Sequence, residues 1–136
     1  MPNKKIVNHM YQNDAFSKWL GIELLEIGEG FCELKLTIRK EMTNGFDIAH
    51  GGISYSLADS ALAFASNSHG RKSVSVETSI SHTKPCVVGD VLTAKAVEKS
   101  ISTKIAIYEI TITNQNKEIV ALFKGTVYRT NKKWEV

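Results

Sequence analysis

The chain of 136 residues is long enough for one domain, since it can bury roughly two-thirds of the surface that its unfolded form exposes. Its net charge of +3 comes from 17 Lys and Arg scattered among 14 Asp and Glu, which argues against duplex nucleic acid as a partner. No stretch approaches the ~20 apolar residues of a membrane span, and the N-terminus lacks the apolar run of a signal peptide. We therefore expect a single cytoplasmic domain over residues 1–136, with no membrane and no nucleic-acid partner.

The cysteines and histidines give no sign of a metal site. Cys32 and Cys86 form no CxxC pair and have no nearby histidine at ligand spacing. We interpret them as free buried thiols in a reducing compartment, with a disulfide as the alternative. His9, His69 and His82 are scattered and are interpreted as surface or loop residues. We expect neither a metal nor a cofactor.

The first third of the chain predicts a short helical segment and a hairpin. Apolar residues recur at roughly helical spacing over residues 6–20, where Asn13 or Asp14 could cap the second half. Strand patterns over residues 22–27 and 31–38 are joined by a turn that contains two glycines. The second pattern alternates apolar and polar residues, which is typical of a hairpin with one solvated face.

A helical run of small and apolar residues then spans about residues 51–67, after a polar loop that ends in His50-Gly51-Gly52. A helix that is apolar all round is expected to be buried. This one contains a single carboxylate, Asp59, and its other polar groups are mostly hydroxyls. A buried, ionised Asp is costly unless it is paired or used. We therefore predict that the helix is the centre of the domain and that Asp59 is a functional candidate.

Four strand patterns follow the helix, over residues 73–82, 91–99, 102–113 and 119–129. In the first pattern, Val74, Val76, Thr78 and Ile80 are predicted to share one face. This order predicts an α+β fold in which an antiparallel meander wraps around one long central helix. One sheet around one apolar helix leaves a sheet edge and a helix face uncovered. We therefore expect a homodimer, with two dimers pairing further into a homotetramer.

The start of the central helix predicts an oxyanion site. Its first N–H groups are unpaired and lie at the positive end of the helix dipole, and Gly51 lets a ligand oxygen approach the backbone closely. Asp59 lies eight residues further on, about 12 Å along the axis at 1.5 Å per residue. A carbonyl held at Gly51 cannot also contact Asp59 of the same helix, whereas an antiparallel second copy could supply it. An oxyanion donor facing a carboxylate suits acyl transfer, with the carboxylate either attacking the carbonyl or activating water.

The pattern NGFDIAHGGISYSLAD over residues 44–59, with a KP…GD turn over residues 84–90, resembles the hotdog-fold acyl-CoA thioesterases. The similarity extends from about residue 15 to residue 130 and is closest to the phenylacetyl-CoA (PaaI-type) branch. The resemblance implies a hotdog fold and hydrolysis of an aryl- or medium-chain acyl-CoA to the free acid and CoA.

The resemblance also implies roles for individual residues. Asp59 would be the nucleophile or general base, and the Gly51 N–H would polarise the thioester carbonyl. Asn44 would position water or the carbonyl, His50 would support the loop, and Ser75 would help to hold the water. Structural alternatives stay open: an Asp satisfied by backbone or serine hydroxyls, a glycine helix entry, and an Asn-Gly turn.

Other candidates concern the substrate. The candidate substrate-binding residues are Gly52 at the helix start and, for the acyl pocket, Tyr55, Leu62 and Phe46. Aromatic and apolar residues at such positions more often belong to the core. The cations available to the CoA phosphates are Arg71, Lys72, Lys84, Lys99 and Lys104, each of which is also interpretable as a surface charge.

Two other functions remain open from the sequence. One is a non-catalytic acyl-CoA-binding or sensing protein on the same fold, although a pure binder gains little from burying Asp59. The other is a hydratase or dehydratase, which needs a His and an acid placed for α-proton removal. The spacing here suits hydrolysis better.

Overall fold

The computed structural model describes residues 2–136. In chain order, its elements are α1 (Pro2–Gln12), α2 (Ala15–Trp19), β1 (Glu23–Gly28), β2 (Phe31–Thr37), a 3-10 turn (Lys40–Met42), α3 (Gly51–Asn67), β3 (Arg71–His82), β4 (Val91–Ile101), β5 (Ile105–Thr113) and β6 (Ile119–Lys133). The predicted helical segment is confirmed and begins earlier, at Pro2. Asp14 caps α2 by accepting a hydrogen bond from the Ser17 N–H.

The helix α3 has the bounds that its sequence predicts and lies at the centre of the fold. His50 caps its start, because its Nδ1 accepts a 2.8 Å hydrogen bond from the Gly52 N–H. Its apolar side packs on the sheet, and Leu57, Leu62 and Phe64 are fully buried there. The predicted burial of this helix is therefore confirmed for the side that faces the sheet.

The six strands form one antiparallel sheet in the order β1-β2-β4-β5-β6-β3. The predicted hairpin is β1-β2, and the meander prediction is confirmed for β4-β5-β6. It is wrong for β3, which pairs with β6 at the far edge instead of with β4. Residues 83–90 carry the chain from this edge back to the middle of the sheet, so β4 begins beside β2.

A β-bulge in β3 changes which residues face the helix. Ser75 pairs with Val127 and Glu77 with Thr126, so Val76 is an extra residue in this strand. Before the bulge, Ser75 lies opposite the buried Val127, and beyond it Thr78, Ile80 and His82 lie opposite Gly125, Phe123 and Ala121. The prediction that Val74 and Val76 share a face with Thr78 is therefore wrong. Both valines are exposed, at 57% and 58%.

One face of α3 is not covered by the sheet. It consists of partly exposed residues at helical spacing, which we name the open stripe: Gly52, Tyr55, Ser56, Asp59, Ser60 and Ala63. The open stripe lies beside β3, since the Tyr55 hydroxyl is 2.6 Å from Thr78 Oγ1. The strand β3 is also an edge of the sheet. A helix face and a sheet edge thus lie open side by side.

Both cysteines are free and buried, as predicted. Within residues 2–136, no helix is long and apolar enough to cross a membrane. The same part of the chain holds no group of three His, Cys, Asp or Glu side chains placed to bind a metal ion.

Candidate functional site

The start of α3 opens into a cavity of about 340 Å³, which we name the helix-start cavity. Its lining residues are Asn44, Ile48, Ala49, His50, Gly51, Ser54, His82, Thr83, Lys84, Pro85, Cys86, Leu92 and Val120. The cavity therefore brings together four of the residues predicted from the sequence: Asn44, His50, Gly51 and Lys84.

The cap of α3 leaves one of its first N–H groups free. The Gly52 N–H donates to His50 Nδ1, and the Ile53 N–H donates to the His50 carbonyl at 2.9 Å. Among residues 2–136, the Gly51 N–H has no acceptor. It lies at the positive end of a 17-residue helix and lines the cavity. The Gly51 N–H is thus available to an oxyanion, whereas the Gly52 N–H is engaged by the cap.

The structure shows one of the two roles considered for Asn44, that of a turn former. Its Oδ1 accepts hydrogen bonds from the N–H groups of Phe46 at 2.9 Å and Ile48 at 3.4 Å, which makes it a turn former. Its Nδ2 makes no hydrogen bond within residues 2–136, and the residue lines the helix-start cavity. The turn fixes one end of the amide, and the other end can donate to a ligand.

Asp59 lies in a second cavity, of about 260 Å³, between α3 and β3. This Asp59 cavity is lined by Asp59, Leu62, Ala63, Ser66, Ser73, Val74, Ser75 and Val127. No hydrogen bond or ion pair within residues 2–136 engages the Asp59 carboxylate. Partial burial, and to a smaller extent the nearby Asp14 carboxylate, raise the pKa of Asp59 above its ordinary value. Backbone or serine hydroxyls therefore do not satisfy this carboxylate in the single chain.

Gly51 and Asp59 do not share a site within one chain. The helix-start cavity and the Asp59 cavity have no lining residue in common. This arrangement agrees with the separation of about 12 Å that eight helical residues impose. Ser75 lines the same cavity as Asp59, and Asn44 lines the same cavity as Gly51.

The predicted acyl-pocket residues are dispersed. Tyr55 packs on Phe123, with 5.5 Å between the two ring centroids. Leu62 is fully buried and also lines the Asp59 cavity. Phe46 is 84% exposed and lines neither cavity. Gly52 lines a third cavity, of about 330 Å³, beside an aromatic stack that the sequence did not suggest.

The stack in this third cavity consists of Phe16 and Trp19, whose ring centroids are 6.1 Å apart with a 7° angle between their planes. Both rings are about half exposed, at 55% and 48%. The Arg39 guanidinium lies 4.6 Å from the centroid of the Trp19 ring. An exposed aromatic surface thus adjoins the start of α3, because His50 lines both this cavity and the helix-start cavity.

The candidate cations lie at opposite ends of α3. Lys84 is at the start of the helix, where its Nζ is 2.8 Å from Glu118. Lys99 pairs with Glu109 at 3.8 Å, and Lys104 lies in the turn between β4 and β5. Arg71 donates to the backbone carbonyl of Thr103 in that turn, which places it beside the end of α3. A single chain therefore does not bring Lys99 and Lys104 to Gly51.

His82 is a residue of the helix-start cavity that the sequence interpretation missed. Its Nδ1 lies 3.2 Å from Ser54 Oγ, and its ring packs on Gly51. The available signal was the alternation of Thr78, Ile80 and His82, which places His82 on the face that contacts α3. His82 is exposed, as a surface residue is expected to be, but it lies in a strand instead of a loop and its ring contacts the start of α3.

The sequence model of the thioesterase superfamily matches residues 46–121. The chain is 41% identical over 120 residues to the acyl-coenzyme A thioesterase PaaI of Escherichia coli K12, covering 88% of this chain and 86% of that protein. The structure of the E. coli PaaI protein from the phenylacetic acid degradation operon matches with a TM-score of 0.95 and 37% identity, over 97% of this chain and 96% of that one.

A second solved structure is that of a Streptococcus mutans UA159 protein bound to acetyl CoA. It matches with a TM-score of 0.81 and 25% identity, over 83% of this chain and 91% of that one. These matches confirm the predicted hotdog fold and the resemblance to PaaI-type proteins. The chain belongs to the thioesterase superfamily.

Proposed function

We propose that this protein hydrolyses acyl-CoA thioesters at a site shared by two copies of the chain. Gly51 of one copy binds the thioester carbonyl oxygen, and Asp59 of the other copy acts on the carbonyl carbon or on water. One observation carries the proposal: α3 presents a free N–H at Gly51 and an unpartnered carboxylate at Asp59, in separate cavities. Each group is half of an acyl-transfer site, and an antiparallel second helix brings the halves together.

The chemistry follows from these two groups. The Gly51 N–H and the helix dipole stabilise the negative charge that develops on the carbonyl oxygen during attack. Asp59 either takes a proton from the attacking water or attacks the carbonyl itself and is then released by water. The C–S bond breaks and its electron pair leaves with the CoA sulfur, so the products are the free acid and CoA. Asn44 lines the cavity of Gly51 and Ser75 lines the cavity of Asp59, which supports our proposal that their polar groups orient the carbonyl or the water.

The relatives support the acyl-CoA substrate. The E. coli protein is an acyl-coenzyme A thioesterase, and the S. mutans protein binds acetyl CoA. We propose an aryl- or medium-chain acyl group for this chain. The exposed Phe16–Trp19 stack beside Gly52 offers an apolar surface of suitable size close to the proposed oxyanion donor.

The proposal requires a homodimer, and the monomer has the surfaces for one. The open stripe and the β3 edge adjoin each other, and the exposed Val74 and Val76 lie on that edge. A two-fold axis near Tyr55 covers both surfaces and places Asp59 of each copy near Gly51 of the other. The same axis brings Lys99 and Lys104 of one copy toward the Gly51 end of its partner. A further pairing of two dimers would leave this site unchanged.

The direct test is Asp59→Asn, assayed by thiol release from phenylacetyl-CoA and octanoyl-CoA. We expect the hydrolysis rate to fall by about 10² or more, the scale of lost acid–base or nucleophilic function. Glu26→Gln is the matched control. It also neutralises a carboxylate, but on the exposed edge strand β1, remote from α3's open stripe. Full activity in the Asp59→Asn variant would contradict the mechanism.

The same assay separates hydrolysis from binding alone. A wild-type protein that binds both acyl-CoA probes without releasing thiol would instead support the non-catalytic alternative. The unpartnered Asp59 favours the enzyme, because a binding protein gains little from keeping an unpaired, partly buried carboxylate.

A further inference from the structure

His82 presents a ring nitrogen beside Gly51. A Cβ added to Gly51 would lie 3.2 Å from His82 Nε2 and 3.5 Å from Cε1, so the imidazole packs directly on this glycine. The other ring nitrogen, Nδ1, lies 3.2 Å from Ser54 Oγ on the first turn of α3. The ring is therefore anchored at one end by the helix, and its free end lies at the proposed oxyanion donor.

The backbone at the start of α3 supplies one free donor and no second one nearby. His50 engages the Gly52 N–H through Nδ1 and the Ile53 N–H through its carbonyl. A carbonyl oxygen bound to the Gly51 N–H therefore receives no further hydrogen bond from the next two residues. Oxyanion stabilisation is strongest when several donors converge on the oxygen, so a side chain is needed to complete the site.

The geometry allows His82 to fill this place. A Cβ position is about 2.5 Å from the nitrogen of its own residue. The Gly51 nitrogen and His82 Nε2 are therefore separated by no more than about 6 Å, a span that one oxygen bridges with two hydrogen bonds of ordinary length. We propose that His82 is a catalytic residue whose Nε2–H donates to the thioester carbonyl oxygen beside the Gly51 N–H. This inference rests on the proposed hydrolysis at Gly51.

The proposed role requires the tautomer with its proton on Nε2. The Ser54 hydroxyl lies 3.2 Å from both the Gly51 carbonyl oxygen and His82 Nδ1. When it donates to Nδ1, the neutral imidazole carries its proton on Nε2, and a neutral imidazole is a sufficient donor to a developing oxyanion. No proton is transferred in this step. The hydrogen bond strengthens as the oxygen gains charge and weakens when the C–S bond breaks and its electron pair leaves with sulfur.

The other ionisable groups of the cavity have contacts of their own. His50 Nδ1 accepts from the Gly52 N–H, so the neutral ring carries its proton on Nε2, and the Lys84 ammonium pairs with Glu118 at 2.8 Å. Burial raises the pKa of the Cys86 thiol, which keeps it protonated and a weak donor. In the part of the chain that the structure describes, Asn44 Nδ2 is also free in this cavity, and His82 is distinguished by its position, since its Nε2 lies 3.2 Å from a Cβ built on Gly51.

Two substitutions test the role. His82→Phe retains a ring over Gly51 without a donor, and His82→Gln replaces the imidazole with an amide whose N–H reaches a similar position. With phenylacetyl-CoA, we expect His82→Phe to lower kcat by about 10²-fold, the typical loss of one oxyanion donor, with KM nearly unchanged. We expect His82→Gln to retain at least several-fold more activity than the Phe variant. His9→Phe, at an exposed position on α1, is the control for loss of an imidazole.

Binding of analogues separates this role from a packing role. His82→Phe should weaken binding of a CoA trifluoromethyl ketone, which forms an oxyanion-like adduct, and leave binding of a CoA thioether without a carbonyl unchanged. A wild-type kcat in the His82→Phe variant, or an equal loss of affinity for both analogues, would overturn this inference and leave the proposed function standing. Absence of hydrolysis by the wild-type protein would overturn both the inference and the proposed function.

Discussion

In the folded single chain, Asp59 lies in surroundings that disfavour its negative charge. Partial burial disfavours the ionised carboxylate, and the Asp14 carboxylate at the cap of α2 adds repulsion. Ser17 links the two elements, since its hydroxyl donates to Asp14 and lies 2.8 Å from Ser60 Oγ, the neighbour of Asp59. The folded chain therefore maintains a destabilising charge at a fixed position, as is common at functional sites.

This arrangement predicts a stability effect with a definite pH dependence. Because the folded state raises the pKa of Asp59, the native protein binds this proton more tightly than the unfolded chain does. The stability that depends on this group is therefore highest at low pH and falls as the pH rises through the raised pKa. At neutral pH we expect Asp59→Asn to raise the Tm by roughly 1–4 °C, measured by thermal unfolding without ligand.

The difference in Tm between the Asn variant and the wild type should narrow as the pH is lowered toward 3.8, the ordinary pKa of an Asp carboxyl, since the wild-type carboxyl then becomes neutral as well. Glu26→Gln serves as the reference for removing one exposed negative charge. A lower Tm for the Asn variant at neutral pH would show that the ionised carboxylate has a favourable partner.

At the scale of the elements, the approach of α3 to the sheet depends on Gly125 in β6. A Cβ at this position would lie 2.5 Å from Leu62 Cδ2 and 3.0 Å from Cδ1. Both residues lie in the buried contact between α3 and the sheet, where Leu62 is fully buried. The glycine thus leaves room for a branched side chain that a larger residue would displace.

Gly125→Ala is therefore expected to destabilise the protein by about 1–3 kcal/mol through overpacking, measured by urea unfolding. Leu62→Ala alone should also destabilise it, because it leaves a cavity. The double variant should be more stable than the sum of the two effects predicts, since the added methyl occupies part of that cavity. Strict additivity would contradict this direct contact.

Local signals explain which elements could be predicted from the sequence. The bounds of α3 follow from the His50 cap, the two glycines and the apolar run up to Asn67. The hairpin β1-β2 follows from its glycine turn and alternation. These features depend on neighbours in the chain, so a sequence pattern contains them.

The pairing of β3 and the surroundings of His82 depend on distant residues instead. Nothing in residues 71–82 specifies that their partner is β6, because pairing is decided by the whole sheet. The bulge at Val76 also has no clear sequence signal. Because of it, the predicted alternation of residues 74–80 does not hold on both sides of Val76. The sequence spacing was enough to identify Gly51 and Asp59 as candidates. The residues that surround Gly51 could be identified only from the folded structure.

At the scale of the whole molecule, the two uncovered surfaces lie together. The Asp59 cavity lies between α3 and β3, and its lining includes Val74 from the exposed edge. A partner that covers the open stripe therefore also reaches the β3 edge and closes the Asp59 cavity. Assembly and activity are coupled in the proposed dimer, since the contact that buries these surfaces also completes the site.

Mixed dimers test this coupling. Gly51→Pro removes the proposed donor at the first helical position, where proline is tolerated, and the extended His50 conformation (φ −59°, ψ 137°) suits a following proline. We expect dimers of either Asp59→Asn or Gly51→Pro chains to be nearly inactive. Dimers that contain one chain of each kind, isolated with two affinity tags, should regain about half of the wild-type activity, because two-fold symmetry leaves one complete site.

Gly51→Ala is the matched control, since it retains the N–H and adds only a Cβ at 3.2 Å from His82 Nε2. Its loss of activity should be smaller than that of Gly51→Pro. If both catalytic groups came from the same chain, the mixed dimers would be as inactive as their parents.

The bulge at Val76 also constrains how β3 can change in length. Val76 is the residue without a partner, since Ser75 pairs with Val127, Glu77 with Thr126 and Thr78 with Gly125. Removing one residue at the bulge would therefore restore regular alternation and keep Thr78, Ile80 and His82 on the helix side. Removing one residue beyond the bulge, such as Ser79, would instead turn Ile80 and His82 to the other face. The strand can therefore lose a residue at the bulge, whereas a single deletion beyond it disrupts the helix-facing set.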